Sequence, residues 1–164
     1  MVKLKPLPWS AVKSWFCTRC GECCQLIVQL TAQEWINLTR KYGYAIFEPD
    51  IGGFFIRKTL EGACPFLCRT YNGRLCVLQR EKPLACKLWP FKILAEPKYG
   101  LPDEAVYNYM NNRFYIYAIP NCPGFSWGKP SEVFVKKTLP EFIEIQLGFR
   151  EQQRFSTAPL YSQQ

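Results

Sequence analysis

Four cysteines stand within eight residues, Cys17-Thr18-Arg19-Cys20-Gly21-Glu22-Cys23-Cys24, in a chain of 164 residues that holds nine. Thiols at this density become disulfides or metal ligands, and either outcome ties distant backbone together. Two features favour metal. Nine is an odd number, whereas a secreted disulfide scaffold pairs its cysteines. The opening stretch Met1 to Trp9 carries Lys3 and Lys5 but is broken by Pro6 and Pro8, so it lacks the continuous apolar run of a secretory signal. A cytoplasmic location is the expectation, and there thiols stay reduced.

Histidine is absent. Any metal is therefore held mainly by sulfur, and hydrolases of the His-Cys or Ser-His-Asp kind are excluded. No phosphate-cradling glycine loop, dinucleotide fingerprint or pair of catalytic carboxylates is present. No apolar run approaches the ~20 residues of a membrane span. The formal charge of +8 counts cysteines as neutral. Four thiolates around a divalent ion or a 2+ cluster add about −2 per site, so the excess of positive charge shrinks on metal loading. The basic residues are scattered. A protein or redox partner is expected; the charge gives nucleic acid only weak support.

Apolar residues make up 48% of the chain, with 12 Phe, 9 Tyr and 5 Trp, which is ample for a folded core. The pattern predicts an α+β fold: a small single domain over residues 1–164, with short antiparallel strands or hairpins, a few helices and cysteine-rich metal-binding loops. Its core spans about 10–128, and a helical segment covers about 131–155. Ser10 to Phe16 reads as a short helix or turn, and Gln25 to Leu30 as a strand. Thr31 and Glu34 form a capping-box signature for a helix that Gly43 stops. Phe54 to Leu60 reads as a strand, and Asn72-Gly73 as the turn of a hairpin. Glu81 to Leu88 predicts a short helix. Phe91 to Ala95 and Arg113 to Ile119 read as strands, and Glu132 to Gln153 as a helix bent or restarted at Pro140. Residues after Phe155 read as a frayed end.

Cys17, Cys20 and Cys23 repeat the C-x₂-C-x₂-C run that ferredoxins place around a [4Fe–4S] cluster, with a distant Cys-Pro as the fourth ligand. Cys64-Pro65 and Cys122-Pro123 both offer that fourth position. Gly21 after the second cysteine equally suits a zinc knuckle. Side chains of adjacent residues point apart, so Cys23 and Cys24 are not expected on one ion. Cys24 then serves a second metal or the far side of a cluster, or it is a buried thiol. Trp15, Phe16, Trp89 and Phe91 flank cysteines and read as core. Arg19, Arg69, Arg74 and Arg80 read as offsets to thiolate charge, and Glu22 as a solvated loop carboxylate.

The ordered series Cys17-x₂-Cys20-x₂-Cys23-Cys24, Cys64-Pro65-Phe66-Leu67, Cys76-x₉-Cys86, Trp89-Pro90-Phe91 and Cys122 resembles the CxxCxxCC, or YkgJ-like, cysteine-cluster family, described as chelating zinc or iron. The middle motif departs from the family pattern by two extra residues between Arg80 and Pro83, and Cys68 has no counterpart. The resemblance implies eight ligand positions: Cys17, Cys20, Cys23, Cys24, Cys64, Cys76, Cys86 and Cys122. It implies one or two iron–sulfur clusters, of [4Fe–4S] type, with zinc as the alternative cofactor. The function expected is redox or electron transfer, or cluster-bearing support of a partner enzyme. A structural zinc module binding protein or RNA is a second expectation. A lysine methylase also resembles this domain, so a protein-modifying enzyme is a third.

Overall fold

The computed structural model describes residues 5–71 and 73–155. They fall into two compact units, one built from the chain up to Thr18 together with the chain from Leu88 on, the other from Arg19–Lys87. The fold is α+β, with short antiparallel strands and few helices, as the sequence pattern predicts.

In the discontinuous unit the long strand Asn112–Ala118 pairs along one edge with Phe91–Leu94, in the register Tyr115↔Leu94 to Ala118↔Phe91. Its other edge is shared in tandem by Val106–Tyr109 and by Leu7–Pro8. Tyr107, Phe114, Tyr115 and Tyr117 supply the aromatic, pleat-filling side chains that such strands favour. The turn into this strand is Met110-Asn111, with φ of 47° and 62°. Two consecutive left-handed residues make a tight hairpin whose twist matches the strands. A separate pair joins Val12–Trp15 to Phe125–Trp127, with Phe125 opposite Trp15 and an irregularity at Ser126/Trp127.

The expected C-terminal helix is present but ends at Gln146 instead of Gln153. A π turn over Phe134–Thr138 passes into the α-helix Leu139–Gln146, with Pro140 in its first turn, where no N–H is missed. That helix packs Leu139, Phe142 and Ile143 against Phe91, Ile116, Trp15 and Phe134, and it buries Ile145 as well. Phe91 and Phe142 meet edge to face at 4.7 Å. Glu141 is buried too; its carboxylate accepts backbone N–H groups from Arg154 and Phe155 and lies 3.4 Å from Arg150 Nη1. A buried charge met this way is compensated, which fixes the chain after the helix.

The Arg19–Lys87 unit has its own core of Val28, Leu30, Leu38, Phe47, Ile56, Phe66 and Leu78, with Cys64 inside it. Burying one such aliphatic or aromatic side chain contributes about 2 kcal/mol. The helix Ala32–Tyr42 opens on the expected capping box, with both reciprocal bonds formed, and ends at Gly43 (φ 83°). Trp35 stacks on Phe54 at 4.3 Å. Gly53–Ile56 is the middle strand of three, between Gln29–Leu30 and Phe47–Asp50. The expected hairpin forms, Leu67–Thr70 with Gly73–Cys76, but its register is one residue from the expected one: Thr70 stands opposite Gly73, so Gly73 opens the second strand instead of lying in the turn; Asn72 lies outside the described residues. The helix predicted over 81–88 is shorter, Leu84–Leu88.

Several expectations are corrected. The stretch 10–16 is a 3₁₀ turn, Trp9–Ala11, followed by the strand Val12–Trp15. Of 25–30 only Gln29–Leu30 is strand, because Glu22–Gln25 is a 3₁₀ turn that continues the cysteine loop. Phe16 is exposed rather than core, since alternation along Val12–Trp15 buries Trp15 and turns its neighbour outward. The expected frayed end after Phe155 lies outside the described residues.

Candidate metal centre

Gly21 sets the shape of the double-cysteine turn. At φ 77° it takes the left-handed conformation that caps the 3₁₀ turn Glu22–Gln25, and Cys24 N–H donates to its carbonyl at 3.0 Å. A side chain there would also meet Arg74, whose Cδ lies 2.6 Å from an ideal Cβ. Arg74 Nη1 donates to the Cys20 carbonyl at 3.0 Å, and its backbone N–H to Arg19 O at 3.1 Å. The hairpin that carries Cys76 is thereby fastened to the loop that carries Cys20, Cys23 and Cys24.

A second fastening joins the loop to Cys64. Cys64 N–H donates to Cys24 O at 2.8 Å, and Lys58 Nζ donates to the same carbonyl at 2.8 Å. Cys76 is brought in when Val77 N–H bonds Phe66 O at 2.8 Å. Cys86 arrives on the helix Leu84–Leu88, whose first amide, Leu84 N–H, is accepted by Glu34 Oε1 at 2.7 Å. The other oxygen of Glu34 closes the capping box on Thr31 N–H at 2.9 Å. One carboxylate thus anchors two helices.

These turns gather five cysteines. Cys64 is buried in the core of the Arg19–Lys87 unit, and Cys24, Cys76 and Cys86 pack against it. Their thiols sense one another. A hydrogen bond from Cys24 brings the Cys23 thiol down from 9.0 to about 7, with help from the Lys82 charge. Donating that bond pushes Cys24 up, as does burial. Burial comes first in raising Cys64, Cys76 and Cys86, and each is also held up by a neighbouring sulfur's charge. Cys23 is therefore the most acidic of the five, while the other four favour the proton.

The remaining cysteines are placed otherwise. Cys20 accepts the Glu22 N–H at 3.5 Å within its own loop. Cys68 is exposed on the hairpin opposite Leu75. Cys17 and Cys122 belong to the discontinuous unit, where Cys17 packs against the core that holds the buried Cys122. Phe16 N–H bonds Gly124 O at 3.0 Å, so the two cysteine segments run alongside each other. Of the sequence triplet, Cys17 belongs to the discontinuous unit, and Cys20 and Cys23 to the Arg19–Lys87 unit. Of the arginines expected to offset thiolate charge, Arg74 holds the loop backbone, and Arg69 faces the exposed Glu61 at 4.0 Å. Glu22 is exposed, as expected. Sequence reasoning missed Lys58, Lys82 and the second role of Glu34, since nothing local marks them.

A family model, CxxCxxCC, matches residues 16–123, from the first cysteine loop through Cys122. The chain belongs to the CxxCxxCC family. Its description is "Putative zinc- or iron-chelating domain", which agrees with the expectation from the cysteine series. No curated protein and no solved structure matches the chain. Donor chemistry in this CxxCxxCC protein fits such a metal: five clustered sulfurs and no histidine make a soft donor set suited to zinc or to iron–sulfur clusters. Among the described residues, no three Cys, Asp or Glu side chains already converge on one ion-binding point. No helix among them is long and apolar enough to cross a membrane.

Proposed function

We propose that the Arg19–Lys87 unit carries an iron–sulfur centre of [4Fe–4S] type, and that the protein serves redox or electron transfer, or supports a partner enzyme with its cluster. Cys23, Cys64, Cys76 and Cys86 are the ligands. Cys24, next to Cys23, is the fifth sulfur of the group. The observation that carries this reading is geometric: Cys64, Cys76 and Cys86 arrive from separate turns at one core, and the Cys23–Cys24 turn is bonded to Cys64 through the Cys24 carbonyl. Thiolate ligation is how proteins hold such clusters, and the cluster supplies one-electron chemistry while burial and hydrogen bonds tune it. The sulfurs close on the metal by χ1 rotation, which the half-buried positions of Cys23, Cys76 and Cys86 allow. Its partner is a protein that exchanges electrons with it or depends on its centre.

Iron, acid-labile sulfide and zinc counted on anaerobically purified protein test this. About four iron and four sulfide per chain, with a brown colour, support it. A colourless protein with stoichiometric zinc supports a second reading, a structural zinc module. The left-handed Gly21 directly after Cys20 favours that reading, because it gives the Cys-x-x-Cys-Gly turn its knuckle shape.

A further inference from the structure

Lys58 occupies an unusual position for a cation. It follows the strand Gly53–Ile56 and precedes a tight loop closed by Thr59 N–H to Ala63 O at 2.9 Å and Gly62 N–H to Thr59 O at 2.9 Å. That loop sets Lys58 and Cys64 side by side at its base. Both reach the Cys24 carbonyl, one with its ammonium and one with its backbone N–H, each at 2.8 Å.

The Cys24 carbonyl is already satisfied by Cys64 N–H, so polar saturation of the backbone does not require the lysine. Lys58 is half-buried, and among the described residues no carboxylate pairs with it. A cation held in that state loses hydration without a counter-charge, which is unfavourable unless negative charge arrives nearby. Held on the Cys24 carbonyl beside the Cys64 turn, its charge acts on the Cys64 sulfur. A second half-buried lysine, Lys82, acts through its charge on Cys23, Cys76 and Cys86, and among the described residues no carboxylate pairs with it either. Four thiolates around a 2+ centre leave about −2 to be offset.

We infer that Lys58 is a positioning residue for the metal centre: its ammonium ties the Cys23–Cys24 turn to the Cys64 turn and supplies the positive charge that the loaded sulfurs need. Lys82 supplies charge alone. This rests on the metal-binding reading above and adds to it the residues that hold the centre's charge. It holds for iron or zinc, because the charge belongs to the thiolates.

The test uses full-length protein loaded anaerobically, with metal affinity read by competition against a chelator, for the wild type, Lys58→Met, Lys58→Arg and Lys82→Met. Circular dichroism checks that each variant keeps its fold. Lys58→Met is expected to lose affinity about tenfold, as removal of a ligand's supporting partner does, and Lys58→Arg to restore most of it. Lys82→Met weakens binding in the same direction and by less. If the bound metal is iron–sulfur, Lys58→Met also moves the reduction potential to more negative values, because a cation favours the electron-richer state. Unchanged affinity in Lys58→Met overturns the inference while the metal-binding reading stands. Equal losses in Lys58→Met and Lys58→Arg overturn it too, since a retained positive charge would then contribute nothing. If Lys58→Met does not fold, an unchanged Lys82→Met overturns it. A wild-type chain that loads no metal overturns both the inference and the reading beneath it.

Discussion

The indole Nε1–H of Trp15 donates to the sulfur of Cys122 at 3.4 Å, inside the core of the discontinuous unit. The ring is held by edge contacts with Phe91 at 6.0 Å and Phe142 at 5.5 Å. Its N–H also passes within 3.1 Å of where a side chain on Gly124 would begin. Trp15→Phe keeps an aromatic ring but removes the donor and part of the packing. It is expected to destabilise the protein by about 2 kcal/mol, about 1 from the hydrogen bond and the rest from lost volume. Urea unfolding, with the midpoint lowered at constant slope, checks this.

Gly124 is needed for space, not for its dihedral. An ideal Cβ there would lie 2.1 Å from Phe16 O, a backbone atom of the adjoining chain, so something must shift. Gly124→Ala is expected to cost about 2 kcal/mol. Gly43 presents the opposite case: φ is 83° and nothing lies within 4 Å. Gly43→Ala should cost about 1 kcal/mol, from backbone strain alone. Thermal unfolding of both variants separates the two mechanisms.

Glu34 bridges two helices, so it should matter more than a cap. Thr31→Ala removes one capping bond and is expected to cost about 1 kcal/mol. Glu34→Ala removes charge-assisted bonds to Thr31 N–H and Leu84 N–H and should cost about 3 kcal/mol. Glu34→Gln, which keeps one acceptor oxygen and turns an NH2 donor toward the other N–H, should fall between them. If Glu34→Ala and Thr31→Ala prove equal in denaturant unfolding, the carboxylate does not anchor the Cys86 helix.

The acid limb of stability is expected to depend on Glu144. The Tyr109 hydroxyl donates to its carboxylate at 2.7 Å, and Arg150 Nε lies 2.7 Å from the other oxygen. Tyr109 first, then Arg150, lowers its pKa below the ordinary 4.5. Because the folded value is the lower one, this contribution is present above pH 4.5 and fades as pH falls through the folded value. Tyr109→Phe should therefore flatten the loss of stability below pH 4.5 while changing the slope little above it. Unfolding free energies measured from pH 7 to pH 3 decide the point.

What was legible in the sequence was local. The capping box of Thr31 and Glu34 and the restart at Pro140 each follow from a few neighbouring residues and formed as expected; the hairpin formed too, one residue out of the expected register. The strand Phe47–Asp50 escaped notice because Pro49 and two acidic residues mask it; as an edge strand it tolerates a proline that a central strand would not. The Met110-Asn111 turn escaped because it reaches the left-handed region without the glycine that usually signals it. For the site, residue type was readable and grouping was not. That Cys24 O meets Cys64 N–H, and that Cys17 and Cys23 fall in different units, depends on long-range bonds that no spacing rule encodes.

X-ray absorption fine structure at the metal edge of the anaerobically loaded protein bears most directly on the claim that Cys23, Cys64, Cys76 and Cys86 share one centre. The account predicts an all-sulfur first shell at about 2.3 Å with iron–iron scattering beyond it, and loss of that shell in Cys86→Ser but not in Cys68→Ser. A first shell dominated by nitrogen or oxygen, or equal loss in the two variants, would contradict it.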